Sequence, residues 1–199
     1  MGRRTAVWAS ALAAVMVLVG CSGSRSHPGA GSRAGSPSPS HTAVLTKGQT
    51  ASVLFGAAQV PATWTVDGQA TDGPGPDGMV ANSRRAFIAP DLNGRVAIGA
   101  ISYTDANAAH ARFLLWKRQS AGPQQSPVSV TGADEALRHT CLSCGGTIEF
   151  RVGTIVARVS IEPDSGPAPH AELLSAIAAV YAQRIEQVLA GHSPTVSLR

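Results

Sequence analysis

No Gly-x-Ser-x-Gly, Ser-x-x-Lys, Walker loop or His-Glu-x-x-His occurs in these 199 residues. The nucleophile elbows, phosphate cradles and zinc-binding helices that announce a reaction are therefore missing. Past residue 41 there are only two lysines, Lys47 and Lys117, and neither follows a glycine-rich loop. Acidic residues are absent before Thr42, whereas Arg3, Arg4, Arg25 and Arg33 all lie there, so the net charge of +4 belongs to the leading segments. The remainder, Thr42 to Arg199, carries 12 basic and 12 acidic residues. A formally neutral domain with 5% aromatics offers neither the basic face nor the stacking platforms of a nucleic-acid binder. Arg84-Arg85 and Lys117-Arg118 are isolated pairs, read as solvated surface. Long apolar runs are scarce too: there is one, near the start, and none later reaches membrane-spanning length.

That run is the most informative feature of the chain. Arg3 and Arg4 form a positive n-region, and Ala6 to Val19 is apolar over the length of a signal h-region, short of the roughly 20 residues a spanning helix needs. Leu18-Val19-Gly20-Cys21 closes it as a lipobox, a branched residue and small ones before the cysteine whose thiol takes the lipid. Ser22 to Ser40 is Ser/Gly/Pro/Ala with two arginines and no large apolar residue, a composition that cannot bury enough surface to order itself. A flexible tether of about twenty residues has a root-mean-square reach of roughly 25 Å. The expected organisation is thus 1–20 lipoprotein signal peptide, 21–41 lipidated cysteine and tether, and 42–199 one extracytoplasmic domain at the outer face of the cell membrane. About 158 residues suffice for a core that does not depend on disulfides.

Within that domain the pattern predicts an α+β fold, an antiparallel sheet with two or three helices packed on it. Thr46 to Ala58 reads as a short helix with Thr46 as N-cap. Asp67 to Asp77 reads as loop. Ala86–Ala89 and Arg95–Tyr103 read as strands joined by a turn at Asp91-Leu92-Asn93-Gly94. Asp105 to Ser120 reads as a helix, stopped by Gly122-Pro123, with Ala106, Ala109, Phe113 and Trp116 on one stripe. Ile148, Phe150 and Val152 alternate with Glu149 and Arg151. After a turn at Gly153-Thr154, Ile155, Ala157, Val159 and Ile161 face inward, with Arg158, Ser160 and Glu162 outward. Leu174, Ile177, Tyr181, Ile185 and Val188 form the stripe of a last helix, Ala171 to Ala190, ended by Gly191.

Several motifs in this order resemble the sensor-like extracellular domains of actinobacterial lipoproteins and of PknH-type receptor serine/threonine kinases. They are Leu45-Thr46 leading into Val60-Pro61-Ala62-Thr63-Trp64, where that family often has Leu-Pro-Ala-Gly-Trp; Gly132-Ala133-Asp134-Glu135-Ala136, close to a Gly-Asp-Glu-Ala turn; Arg151-Val152-Gly153-Thr154, where Arg-Val-Gly-Asn often falls; and the final amphipathic helix. The resemblance spans most of Thr42 to Gly191. It implies an antiparallel sheet with helices packed on it, a shallow cleft, and a role in sensing or binding at the cell surface. Ala133 interrupts the Gly-Asp-Glu turn, and the long-range cysteine pairs of the kinase sensors are absent, so no disulfide framework carries over.

Of the three cysteines, Cys21 is assigned to lipid. Cys141 and Cys144 are expected to pair as a disulfide outside the cell, a local staple worth roughly 2 kcal/mol in the chain-entropy model. The alternative is a redox centre, but Gly145-Gly146 and a strand follow where a helix N-terminus would be needed to lower the thiolate pKa. A zinc site would need His139 and a distant His110 or His170 as well, and no metal or cofactor is expected. Asp134-Glu135 read as turn or cap residues satisfying backbone N–H groups rather than an acid/base pair. Asp67, Asp72 and Asp77 lack the alternating spacing of a calcium loop. The reading reached is a non-catalytic, lipid-anchored domain binding a small ligand, in an apolar pocket between the sheet and the helix bearing Phe113 and Trp116, with Trp64 also lining it. A thiol-redox protein and a scaffold for another envelope protein are the alternatives.

Overall fold

The computed structural model describes residues 42–120, 124–141, 145–165 and 171–199. The leader, Cys21, the tether, Gly122-Pro123, Cys144 and His170 lie outside the described residues. Helix α1 (Lys47–Ser52) begins with a capping box: Thr46 Oγ1 accepts from the Gln49 N–H, and the Gln49 side chain accepts from the Thr46 N–H. It is shorter than the Thr46–Ala58 run predicts. Val53, Leu54 and Phe55 leave it fully buried in the core, and Gly56 then opens a single 3-10 turn, Ala57–Gln59.

Seven strands among the described residues make one antiparallel sheet: β1 (Thr65–Asp72), β2 (Met79–Ala89), β3 (Gly94–Tyr103), β4 (Gln125–Pro127), β5 (Glu135–Cys141), β6 (Gly145–Val152) and β7 (Ile155–Pro163), in the order β1-β2-β3-β7-β6-β5-β4. Helix α2 (Ala106–Gln119) links β3 to β4, and α3 (Ala171–Leu189) follows β7. The expected α+β architecture is what the chain adopts. No helix among the described residues is long and apolar enough to cross a membrane.

The register divides the two faces, because successive side chains of a strand alternate. Phe87, Val96 and Ile161 share one face with Ile98, Val159, Ile148, Phe150 and Ala157. Helices α1 and α3 close over it, and the stripe Leu174, Ile177, Tyr181, Ile185 and Val188 is buried there. Phe150 meets Tyr181 edge-on at 5.8 Å between centroids, and Phe55 packs tilted on the same ring at 5.7 Å. On the other face α2 covers the end marked by Tyr103 and Val156, and over the rest of that face, at β2 and β3, no helix of the described residues lies.

Four expectations are corrected. The predicted loop Asp67–Asp77 is half strand: β1 pairs with β2 along its length, as a polar edge strand with a bulge at Val66/Gly68. Its exposure hides it from a reading that relies on hydrophobic alternation. Strand β2 extends back to Met79, so Arg84 and Arg85 point to opposite faces, and Arg85 is not solvated surface: it bonds the Phe55 carbonyl and Gln69. Strand β4 stands where no strand is predicted, and Glu135, read as a turn or cap residue, lies inside β5, the strand that leads into the expected Cys141–Cys144 turn. Glu149 and Ser160, expected outward, are about 5% and 4% exposed because the second face is partly covered.

Candidate functional site

The Pro61–Trp64 turn, closed by the Trp64 N–H donating to the Pro61 carbonyl at 2.9 Å, delivers the indole to the core edge, where it packs on Phe87. Its Nε1–H donates to Asp91 Oδ1 at 2.6 Å. Asp91 sits on the 3-10 turn Pro90–Leu92 between β2 and β3. Pro90 presets the entry backbone of that turn, and Asn93 ends it in the left-handed region at φ 46°. The predicted turn at 91–94 thus holds a carboxylate and a leucine in place beside α3.

Helix α3 supplies Leu173, Ala176, Ile177 and Val180, spaced to lie on one helical face. The third wall is the C-terminal segment, Ser197 to Arg199. It is strapped to the body by the Leu198 N–H donating to the Gln59 carbonyl at 2.8 Å, by two hydrogen bonds between Thr195 and Gln187, and by Arg184 to the Val196 carbonyl at 2.7 Å. Together these elements enclose an open cavity of about 290 Å³. Its lining is mostly apolar, with Asp91, Ser197 and Arg199 as its polar groups. That combination, an apolar concavity with a few convergent polar atoms, suits a small amphipathic molecule.

Only one of the three predicted ligand residues reaches this cavity. Trp64 lines it, whereas Phe113 and Trp116 belong to α2 on the opposite side of the sheet. Phe113 is buried, and Trp116 packs toward Tyr103, Ala109 and Val156 with the Arg112 guanidinium 5.4 Å from its ring. The apolar hollow that Trp64 lines thus lies under α3, on the side of the sheet away from α2. Leu173, Val180 and Leu198 escaped the sequence reading as site residues. The first two sit on the margin of the α3 stripe, a visible signal, but nothing local marks Leu198.

The other candidates resolve as follows. Cys141 ends β5, and β6 begins at its register partner Gly145, so among the described residues no helix N-terminus adjoins it; the expected Cys141–Cys144 pairing falls outside them. Asp134 Oδ2 accepts the Gly153 N–H at 2.7 Å, the turn role expected of it, and pairs with Arg151 Nη1 at 2.9 Å. His139 Nε2 lies 3.4 Å from Glu149 Oε2. Asp67 pairs with Arg95, and Asp72 accepts from Asn82. Among the described residues no three His, Cys, Asp or Glu side chains converge as metal ligands.

Glu135 Oε1 accepts from Arg151 Nε at 2.5 Å and lies 2.7 Å from His110 Nδ1, tying α2 to β5 and β6. Burial pushes its carboxyl up, but the hydrogen bonds from Arg151 and His110, with their charges, outweigh burial and hold it below its ordinary value. A carboxyl held down in this way contributes stability that is complete above its unfolded pKa and is lost as pH falls through the folded one. Urea midpoints of wild type and Glu135→Gln should therefore differ above about pH 5 and converge toward about pH 3. A gap that stays constant over that range would refute the assignment.

No protein-family model, curated protein or solved structure matches this chain.

Proposed function

We propose that this chain is a lipid-anchored bacterial lipoprotein, held at the outer face of the membrane through Cys21, whose domain binds a small, largely apolar ligand without transforming it. The cavity bounded by Trp64, Asp91, the Leu173–Val180 face of α3 and the Ser197–Arg199 strap carries this reading. Its volume of about 290 Å³ suits a compact ring system or a short acyl chain, and the indole with its bound carboxylate orients one end of such a ligand. The Leu18-Val19-Gly20-Cys21 lipobox and the Ser/Gly/Pro-rich stretch behind it support the anchor.

Ala176 is exposed and lines the cavity, so Ala176→Trp fills the hollow without disturbing packed side chains. N-phenyl-1-naphthylamine, a neutral apolar fluorophore, should brighten with the wild-type chain, and its affinity should fall about tenfold in Ala176→Trp, the loss of about 1.4 kcal/mol of contact. Equal brightening in both proteins would reject the cavity as the binding site. The intact mass of membrane-extracted protein completes the test: it should correspond to a chain beginning at an acylated Cys21, and an unmodified N-terminus elsewhere would reject the anchor.

A further inference from the structure

The face of the sheet opposite the α3 cavity carries a second arrangement that this function does not use. In the register, Arg84 of β2 stands directly beside Gly99 of β3, and Gly99 directly beside Arg158 of β7. All three lie on the side of the sheet left open by α2. Strands two apart are separated by about 9–10 Å, so the two arginines flank a strip of bare backbone at a distance their guanidinium arms span. The next row, Ala86, Ala97 and Ser160, is also small, and together these positions floor a concave surface with compartments of about 390 and 240 Å³.

Charge on this face is unevenly committed. Arg95 pairs with Asp67 at 2.8 Å; Glu162, across from Arg95 in the register, lines the compartment that Arg84, Gly99 and Arg158 share. Glu149, across from Arg158, is buried and lies against His139. Arg84 and Arg158 are exposed and form no ion pair or hydrogen bond among the described residues. Glycine weakens the interior of a strand, and here packing does not require it: a Cβ at Gly99 would meet nothing closer than the Ser83 carbonyl oxygen at 3.6 Å, an ordinary contact. What its absence leaves open is the space between the two guanidinium groups.

We propose that Arg84 and Arg158 clamp a phosphate-class oxyanion over Gly99, a phosphomonoester or phosphodiester whose oxygens each guanidinium meets in its planar fork. The two guanidinium groups form no ion pair among the described residues and outnumber the one carboxylate lining their compartment, Glu162, which favours an anion over a neutral ligand.

The test uses the full chain in neutral detergent, titrated calorimetrically with pyrophosphate at low salt. Saturable binding that weakens with added sodium chloride is expected. Arg84→Gln/Arg158→Gln should weaken it at least about tenfold, since a charge-assisted hydrogen bond supplies at least that factor. Arg95→Gln, whose guanidinium is already engaged, should change it less than about threefold. Gly99→Val keeps both charges but covers the floor, so it should weaken binding where a diffuse charge effect would not. Ala176→Trp, on the opposite face, should leave pyrophosphate binding unchanged, which separates this site from the apolar cavity. Should the double Gln variant melt early, Arg84→Lys/Arg158→Lys retains charge without the fork and should still weaken binding.

Titration of the same full chain in the same detergent with a short-chain phosphatidylglycerol, and with the matching phosphatidylcholine, distinguishes the source of the oxyanion without involving the chain's own acyl anchor. Arginine-dependent binding of the phosphatidylglycerol alone assigns it to a lipid headgroup, and pyrophosphate binding without it assigns it to a soluble ester. Binding to neither, or binding that the double Gln variant retains, overturns the proposal.

Discussion

Arg184→Leu should cost the domain about 3–5 kcal/mol and lower its melting temperature by roughly 10 °C, by circular dichroism of the full chain. Arg184 is about 1% exposed and has no carboxylate partner among the described residues. It donates instead to the carbonyls of Ser52, Val53 and Leu54, where α1 ends, and to that of Val196 in the C-terminal strap. A helix leaves its last carbonyls without intrahelical partners, and here one guanidinium from α3 satisfies them while its carbon centre lies 4.9 Å from the Phe55 ring. Leucine fills the volume but strands the buried carbonyls of Val53 and Leu54, each costing about 1–3 kcal/mol before relaxation, and removes the part-buried bonds to Ser52 and Val196. Arg184→Lys keeps the charge but lacks the five-donor fork, so it should recover only part of the loss. Melting within about 2 °C of wild type for Arg184→Leu would show that water replaces these bonds at no net cost.

The second large effect is expected at Gly145. Its φ of +81° is unfavourable for any side chain, and a Cβ there would collide with the Ile161 carbonyl oxygen and stand 2.8 Å from Pro163 Cδ. Ile161 belongs to β7, paired on both sides by β3 and β6, so the obstacle is main chain that cannot rotate away. Gly145→Ala should therefore destabilise by about 4 kcal/mol or more, a backbone-strain effect of the rare severe kind. Gly48→Ala is the control. A Cβ at Gly48 meets nothing within 4 Å, and the residue sits inside α1, so that exchange should stabilise by up to about 1 kcal/mol. Comparable melting temperatures for the two variants would refute the steric reading of Gly145.

How much was legible in the chain depended on whether a segment's partner was water or protein. Helix α3 and strands β6 and β7 showed their period because one side of each is buried and the other is wet or half wet. Strand β1 was hidden because both of its sides are largely exposed, so its place rests on backbone pairing with β2 alone. Glu149 looked like an outward residue because alternation says which side of a strand a residue occupies, and not whether a helix later lies over it. The candidate site was half legible for the same reason. Trp64 was visible as the end of the Val60–Trp64 motif, but its partner Asp91 is 27 residues away, and nothing local ties the two.

Amino-acid order alone determined the period of each amphipathic element, the caps at Thr46 and Gly191, the lipobox expectation at Cys21, and the charge neutrality of Thr42 to Arg199. Those properties depend on neighbours within a few residues, where steric and hydrogen-bonding preferences act directly. The tertiary structure decided which side of the sheet each helix covers. It also placed the hollow under α3 rather than α2, and set Arg84 and Arg158 astride Gly99 across three strands. These outcomes turn on strand order and register, which arise only when segments tens of residues apart compete to bury the same apolar surface.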